Sequence, residues 1–197
     1  EKTRHMTWYN KLKEYFPKEE MKSKEHFDAL LNNKNKNYYI DEGKNHILLY
    51  AERDEFIFID YLYVIGNVRG NGIGKKLLEQ LKLKGKPIFL EVEPVNETEQ
   101  DTERRLRFYK REGFQHASSV YYKKTSPATE EEVELEILYW SPDPALMEHD
   151  VLRGMQDVYR ELHTYRDEEL YGRSFEPTEQ ALKIHVDKAD ILEEIKS

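Results

Sequence analysis

A glycine-rich run between an apolar segment and an amphipathic one carries the clearest chemical signal in the sequence. Gly70, Gly72 and Gly74 stand at alternate positions and leave the backbone bare, so that main-chain N–H groups can point into one concavity. A helix that begins there presents unsatisfied amides and the positive end of its dipole, which favour an anion such as a pyrophosphate. The run therefore predicts a phosphate-binding loop.

The spacing of this loop excludes two familiar kinds of phosphate site. A dinucleotide fingerprint requires glycine where Lys75 stands. A P-loop requires glycine where Arg69 stands, and serine or threonine where Lys76 stands. What remains is the pattern Arg-x-x-Gly-x-Gly over residues 69–74, between a predicted strand and a predicted helix.

Three segments, in this order and spacing, resemble the GNAT superfamily of N-acetyltransferases. They are the strand Asp60–Val64, the loop Arg69–Gly74, and the segment Leu106–Phe114, in which a tyrosine is followed by Gly-Phe. The resemblance covers residues 38–140 and implies an α/β fold: a mixed, mostly antiparallel sheet with one splayed parallel strand pair and helices on both faces. It also implies transfer of an acetyl group from acetyl-CoA, the co-substrate, to a primary amine by direct attack in a ternary complex.

The resemblance implies contacts to acetyl-CoA along the strand, the loop and two neighbouring positions. Backbone groups of the strand would bind the pantetheine as an added strand would, and the loop would bind the pyrophosphate. Where the family often has asparagine, this chain has a threonine that can give one hydrogen bond. The expected contacts are Leu62, Tyr63, Val64, Arg69, Gly70, Asn71, Gly72, Ile73, Gly74, Lys75 and Thr102.

Tyr109 is the residue expected to act as general acid. Acetyl transfer to an amine expels a thiolate that needs a proton, and a phenol at the cleft can supply it. The alternative is an ordinary core aromatic on an amphipathic helix, and Tyr121, Tyr122 or Tyr139 could reach the cleft instead.

Asp60 is the carboxylate expected to accept the proton of the amine. It interrupts an apolar run, where a carboxylate is costly unless it is paired. Glu91 and Glu93, on the neighbouring predicted strand, are expected to bind the acceptor and stay alternatives for the base, as does water. Each of these carboxylates could instead be purely structural.

Composition narrows the class of protein further. A chain of 197 residues fits one domain, or one domain with an appendage. Its net charge of -8 disfavours nucleic acid and anionic membranes as partners. Without cysteine there is no disulfide or thiolate site, the histidine spacing predicts no metal site, and no apolar run predicts a membrane span. A cytoplasmic protein acting on a small-molecule or peptide amine is expected.

The sequence divides into three parts. Residues 1–5, before Met6, are expected to be a vector-derived remnant, 6–141 the acetyltransferase-like domain, and 142–197 a helical C-terminal extension. In the extension, apolar spacing predicts helices over Val151–Leu162, Pro177–His185 and Ala189–Ile195. These helices would complete the core or bind a partner.

A second function stays open at this level: an acyl-CoA-binding module that regulates a partner and has no usable base. Both functions predict CoA binding, so turnover with amines separates them. No motif in the sequence identifies the acceptor amine or the oligomeric state.

Overall fold

The computed structural model describes residues 2–66, 71–95, 100–186 and 188–196; for residues 2–6 and 100 it describes the backbone alone. Its helices are α1 (Lys2–Tyr15), α2 (Lys24–Asn32), α3 (Ile73–Lys82), α4 (Gln100–Arg111), α5 (Glu148–Val158), α6 (Asp167–Tyr171) and α7 (Thr178–Ala181). Its strands are β1 (Tyr38–Glu42), β2 (His46–Glu52), β3 (Ile57–Val64), β4 (Ile88–Val92), β5 (Gln115–His116), β6 (Val120–Thr125), β7 (Glu132–Trp140) and β8 (Leu182–Ile184). A 3-10 turn spans Lys18–Glu20, and a π-helical turn, Tyr159–His163, continues α5.

Within the described residues, eight strands form one sheet in the order β1-β2-β3-β4-β7-β6-β8, with β5 paired to β7. The β3–β4 pair is parallel, as expected for strands joined by a helix, and the other pairs are antiparallel. This mixed sheet, with helices on both faces, confirms the predicted fold class.

The two parallel strands separate soon after they meet. Their paired residues are Ile57–Ile59 against Ile88–Leu90, whereas β3 continues to Val64. The far half of β3 therefore diverges from β4, and the sheet opens there into a V.

A β-bulge lies at the start of this divergence. Ile59 pairs with Tyr50 and Tyr61 pairs with Leu49, so that Asp60 is an extra residue on β3. The bulge resets the alternation of the strand: Ile59 packs in the core beneath α3 and α4, and Tyr61 packs in the core on the opposite face. The bulge therefore places Asp60 at the point where the sheet opens.

The residues after Pro142 are part of both cores. Val151, Met155 and Leu162 are fully buried on the face that also holds α1 and α2. Leu192 and Ile195 pack on the other face beside α4. The predicted helix over Val151–Leu162 is confirmed as α5 with its π-helical turn.

Of the two further helices predicted in this region, the first is confirmed in part and the second was wrong. Of Pro177–His185, Thr178–Ala181 is helical, and Leu182–Ile184 is instead a strand that pairs with β6. Ala189–Ile195 forms turns rather than a helix. A short apolar run is compatible with either a helix or a strand. Here the edge of β6 offers backbone hydrogen bonds to residues 182–184, and these bonds favour the strand. Across the described residues, no helix is both long and apolar enough to cross a membrane.

Candidate active site

A cleft of about 480 Å³ opens where β3 diverges, between the end of that strand, the start of α3 and one side of α4. It is lined by Tyr15, Leu62, Val64, Gly72, Ile73, Gly74, Lys75, Arg104, Arg105, Phe108, Tyr109, Arg111 and Glu112. Six of the eleven expected CoA contacts, Leu62, Val64 and residues 72–75, therefore line it, and Tyr109 joins them from 47 positions after Leu62.

The glycines at the start of α3 give this end of the cleft its shape. Gly72 is the residue before the helix and has φ 78°, a left-handed conformation that favours glycine. A Cβ on Gly74 would lie 3.1 Å from the ring of Phe108, so the bare backbone allows α3 and α4 to approach closely. The expected contacts Arg69 and Gly70 lie outside the described residues.

Cationic side chains line the cleft although the chain as a whole is acidic. Lys75, Arg104, Arg105 and Arg111 face it together with the single carboxylate of Glu112, whereas the chain has a net charge of -8. The Nε atom of Arg105 is buried and has no hydrogen-bond partner among the described residues. These charges and the exposed amides of α3 fit a phosphate-bearing ligand.

Tyr109 lies on the wall of the cleft that α4 forms. The residue is 7% exposed, and its ring packs against Phe108 and Phe114. Burial raises the pKa of its phenol, although the nearby Arg105 opposes the shift. Tyr109 therefore keeps its proton at neutral pH, as a general acid must.

Just past the end of α4, Gly113 has φ 89°, a left-handed conformation that favours glycine. Phe114 N–H then donates to the carbonyl of Tyr109, 3.0 Å away. The Gly-Phe pair therefore fixes the last turn of the helix that carries Tyr109.

On the opposite face of the sheet, beneath the V, six polar side chains form what we call the buried network. The ammonium of Lys22 donates to Asp60 at 2.9 Å and to Nδ1 of His163 at 2.9 Å. The network consists of Lys22, Tyr38, Asp60, Glu91, Tyr122 and His163.

Asp60, the expected base, belongs to this network and does not line the cleft. Its side chain is 4% exposed and also accepts a 2.6 Å hydrogen bond from Tyr38. Burial raises the pKa of Asp60, but the charge of Lys22 and the bond from Tyr38 outweigh it, and the pKa is below its ordinary value. A paired carboxylate of low basicity, away from the cleft, argues against the base role.

Glu91 is likewise held inside the protein rather than offered to an acceptor. It accepts from His163 Nε2 at 2.7 Å and from Tyr122 at 2.7 Å. Although burial opposes its charge, His163 and Lys124 hold the pKa of Glu91 well below its ordinary value. These contacts make Glu91 a member of the buried network, and its contact with the acceptor stays a prediction.

Glu93 has a different environment at the end of β4. Its side chain is hydrogen-bonded to that of Glu20, from the 3-10 turn before α2. Burial, followed by the charge of Glu93, raises the pKa of Glu20 to about 8. The two carboxyls therefore share one proton at neutral pH, and Glu20 can accept a proton once the shared proton has left.

The other expected contacts divide between the cleft and its surroundings. Leu62 and Val64 line the cleft, while the ring of Tyr63 packs against Tyr15 at 4.7 Å between centroids. Asn71 is exposed and is not among the lining residues. Thr102 is 2% exposed, so the structure buries it within α4 rather than presenting it to the cleft.

Sequence reasoning missed Glu20, Arg105 and His163. The adjacent arginines at 104 and 105 were a visible signal of an anion site. Glu20 and His163 had no such signal, since their partners are distant in the chain: His163 lies 141 positions from Lys22. Within the described residues, no three His, Asp or Glu side chains lie close enough together to hold a metal ion.

Comparison with solved structures defines the class of fold. A GNAT-family protein from Bacteroides thetaiotaomicron superposes with a TM-score of 0.59 at 23% identity, over 80% of this chain and 92% of that one. Arabidopsis thaliana NAA60, solved with a bisubstrate analogue, superposes with a TM-score of 0.51 at 11% identity, over 71% and 94% of the two chains. The fold is that of the N-acetyltransferases.

Sequence comparison identifies the family. Residues 34–116 match the family model described as the acetyltransferase (GNAT) domain. The Bacillus subtilis (strain 168) protein named "Putative acetyltransferase YjbC" is 55% identical over 179 residues, which cover 91% of this chain and 93% of that protein. The chain belongs to the GNAT superfamily.

Proposed function

We propose that this protein transfers the acetyl group of acetyl-CoA to a primary amine by direct attack within a ternary complex. The observation that carries the proposal is the V between β3 and β4, with a cationic cleft and Tyr109 on one side and the proton-sharing pair of Glu20 and Glu93 on the other. Arg105 joins the two sides, since it lines the cleft, lies near Glu20 and covers the ring of Phe16.

The cleft residues would hold the co-substrate. The amides at the start of α3, with Lys75 and the arginines of α4, would bind its phosphates, and the side of Leu62–Val64 that faces away from β2, where β3 diverges from β4, would bind its pantetheine arm. Acetyl-CoA supplies an acetyl group activated as a thioester. No covalent intermediate with the protein is needed, and the chain has no cysteine to form one.

The protein residues then move two protons. Glu20 in its ionised form accepts a proton from the ammonium form of the acceptor, which frees the nitrogen lone pair for attack. Tyr109 donates its hydroxyl proton to the departing sulfur and regains one from the acetylated nitrogen or from solvent. We place the base at this pair rather than at Asp60, because a pKa near 8 suits proton removal at neutral pH and a paired, acidic Asp60 does not.

Turnover with a panel of amines tests the function. Thiol release from acetyl-CoA is measured with polyamines, aminoglycosides, amino acids and peptides that carry lysine or a free N-terminus. Release with any of them supports the enzyme. Tight binding of acetyl-CoA without release across the panel would favour the regulatory module.

Paired amide variants test the assignment of the base. Glu20→Gln should lower kcat/KM by about 10²-fold at neutral pH, with partial recovery at high pH, where the free amine is more abundant. Glu93→Gln removes the neighbour that raises the pKa of Glu20, so the rising limb of the pH–rate profile should move to lower pH. The matched variant is Asp60→Asn. If it alone shows the loss that recovers with pH, the base is Asp60.

A further inference from the structure

The segment that carries Glu20, residues 18–26, is held by the C-terminal part of the chain. Tyr61 binds its first half: the phenol donates to the carbonyl of Glu20 and accepts from Lys22 N–H at 3.2 Å. The second half is hydrogen-bonded to groups of the region that follows α5. The family match, residues 34–116, includes neither part.

Tyr171 fixes the point where this segment becomes α2. Its hydroxyl accepts from the N–H of Ser23 at 3.0 Å and lies 2.7 Å from Nδ1 of His26. His26 Nε2 lies 2.7 Å from the carbonyl of Leu162, which can only accept, so Nε2 carries the proton and Nδ1 accepts from Tyr171. Burial lowers the pKa of His26 to about 3, which keeps this arrangement at neutral pH.

His163 fixes Lys22, two residues after Glu20. The Lys22 ammonium donates to Nδ1, so Nε2–H of His163 donates to Glu91. Burial lowers the pKa of His163 to about 4, and the ring stays neutral between an ammonium and a carboxylate. His163 ends the π-helical turn, a local widening that is often found at functional sites.

Glu20 is therefore surrounded by groups from several elements. Glu93 follows β4, Arg105 comes from α4, and Lys124 comes from β6. Glu20, Lys124, Lys22 and His163 also line one small polar cavity of about 20 Å³, which is room for about one water molecule. A small shift of residues 18–26 would change the distance between Glu20 and Glu93 and admit water between them.

We propose that residues 159–171 are a positioning element of the acetyl-transfer site: through Tyr171 and His163 they hold residues 18–26 so that Glu20 meets Glu93. The proposal rests on the proposed function, since it assigns the C-terminal region a role in setting the base. Tyr171 and His163 are positioning residues that act through Glu20.

Tyr171→Phe tests this by removing one hydroxyl from a half-buried ring. The matched control is Tyr165→Phe, because the Tyr165 hydroxyl accepts from Asn33 at 3.0 Å and so joins the same region to the far end of α2. With Tyr171→Phe, Glu20 should separate from Glu93 and gain water, and its pKa should fall. The rising limb of the pH–rate profile should move about one pH unit lower, with acetyl-CoA affinity within about twofold of the parent. Tyr165→Phe should keep the parent profile.

Two outcomes would overturn the proposal: a parent profile in Tyr171→Phe, or an equal shift in both variants, which would indicate general docking of the C-terminal region. Should the parent protein release no thiol with any amine, the proposed function fails separately. In that event the carboxyl titration of Glu20, followed by ¹³C NMR with labelled glutamate, decides the inference. A lower midpoint in Tyr171→Phe alone supports it, and identical midpoints in all three proteins reject it.

Discussion

The two sides of the V place their charges in opposite ways. In the buried network each charge meets partners within the protein: Lys22 contacts Asp60 and His163, which in turn contacts Glu91. In the cleft, Lys75 is exposed and Arg105 holds a buried Nε with no partner among the described residues. From this difference we expect the network to stabilise the fold and hold the site in shape, and the cleft charges to bind a ligand.

The largest effect is expected from breaking the network. Lys22→Met should lower the free energy of unfolding by about 3–5 kcal/mol, since it leaves Asp60 as an uncompensated buried carboxylate. Adding Asp60→Leu should cost much less than the two single changes summed, because both charges are then gone. Urea denaturation at pH 7 measures each value.

Lys36→Met is the matched control for this cycle. Lys36 also joins the N-terminal part to the region after α5, through Glu161 at 2.9 Å, but that carboxylate is 49% exposed. Its loss should cost about 1 kcal/mol or less. If Lys22→Met costs no more than Lys36→Met, the network does not stabilise the fold as proposed.

The contribution of Asp60 to the free energy of unfolding depends on pH. Since the pKa of Asp60 is depressed in the folded protein, this contribution is present above the ordinary aspartate pKa and is lost as the pH falls through the folded value.

The next largest effect is expected on the cleft side, at Tyr109. Tyr109→Phe keeps the ring contacts with Phe108 and Phe114 and removes the proton donor, so kcat should fall by about 10²-fold while acetyl-CoA affinity stays near the parent value. Steady-state kinetics and calorimetry measure the two quantities. Tyr139→Phe, a half-buried tyrosine on β7, should keep parent turnover. Full activity in Tyr109→Phe would make Tyr109 a packing residue.

A smaller effect is expected at the glycine loop, on binding alone. Gly72→Val places a branched side chain at the start of α3, and the Kd of acetyl-CoA should rise at least about tenfold, or about 1.4 kcal/mol. Gly85→Val is the matched control: Gly85 has φ +75° against +78° for Gly72, both have open space around the added Cβ, and Gly85 lies past the other end of α3. Both variants should lose similar stability from backbone strain. Equal affinity in the two would reject the loop as a phosphate site.

The sequence predicted the cleft better than it predicted the network, for a physical reason. Gly72, Gly74 and Tyr109 act within short strand–helix units, where glycine spacing and apolar periodicity report local geometry directly. Asp60 drew attention as a charge in an apolar strand, and it is indeed paired, but its partners come from the loop before α2 and from β1, and Lys22 in turn contacts His163, after α5. Contacts between such distant segments leave no periodic pattern in the chain, and so Glu20 and His163 could not be found that way.

Because a ribosome synthesises the chain from its N-terminal end, Lys22 is made well before one of its hydrogen-bond partners. Its last acceptor, His163, lies 141 residues downstream, which corresponds to about 7–28 s at roughly 5–20 residues per second. During that interval the nascent chain can pair Lys22 with Asp60 at most, and β6 lacks its neighbour β8 until residues 182–184 are synthesised, after His163. The closing steps of folding are thereby deferred until residues 163–184 have been synthesised. In the meantime a chaperone would meet an unpaired strand edge and a part-satisfied ammonium.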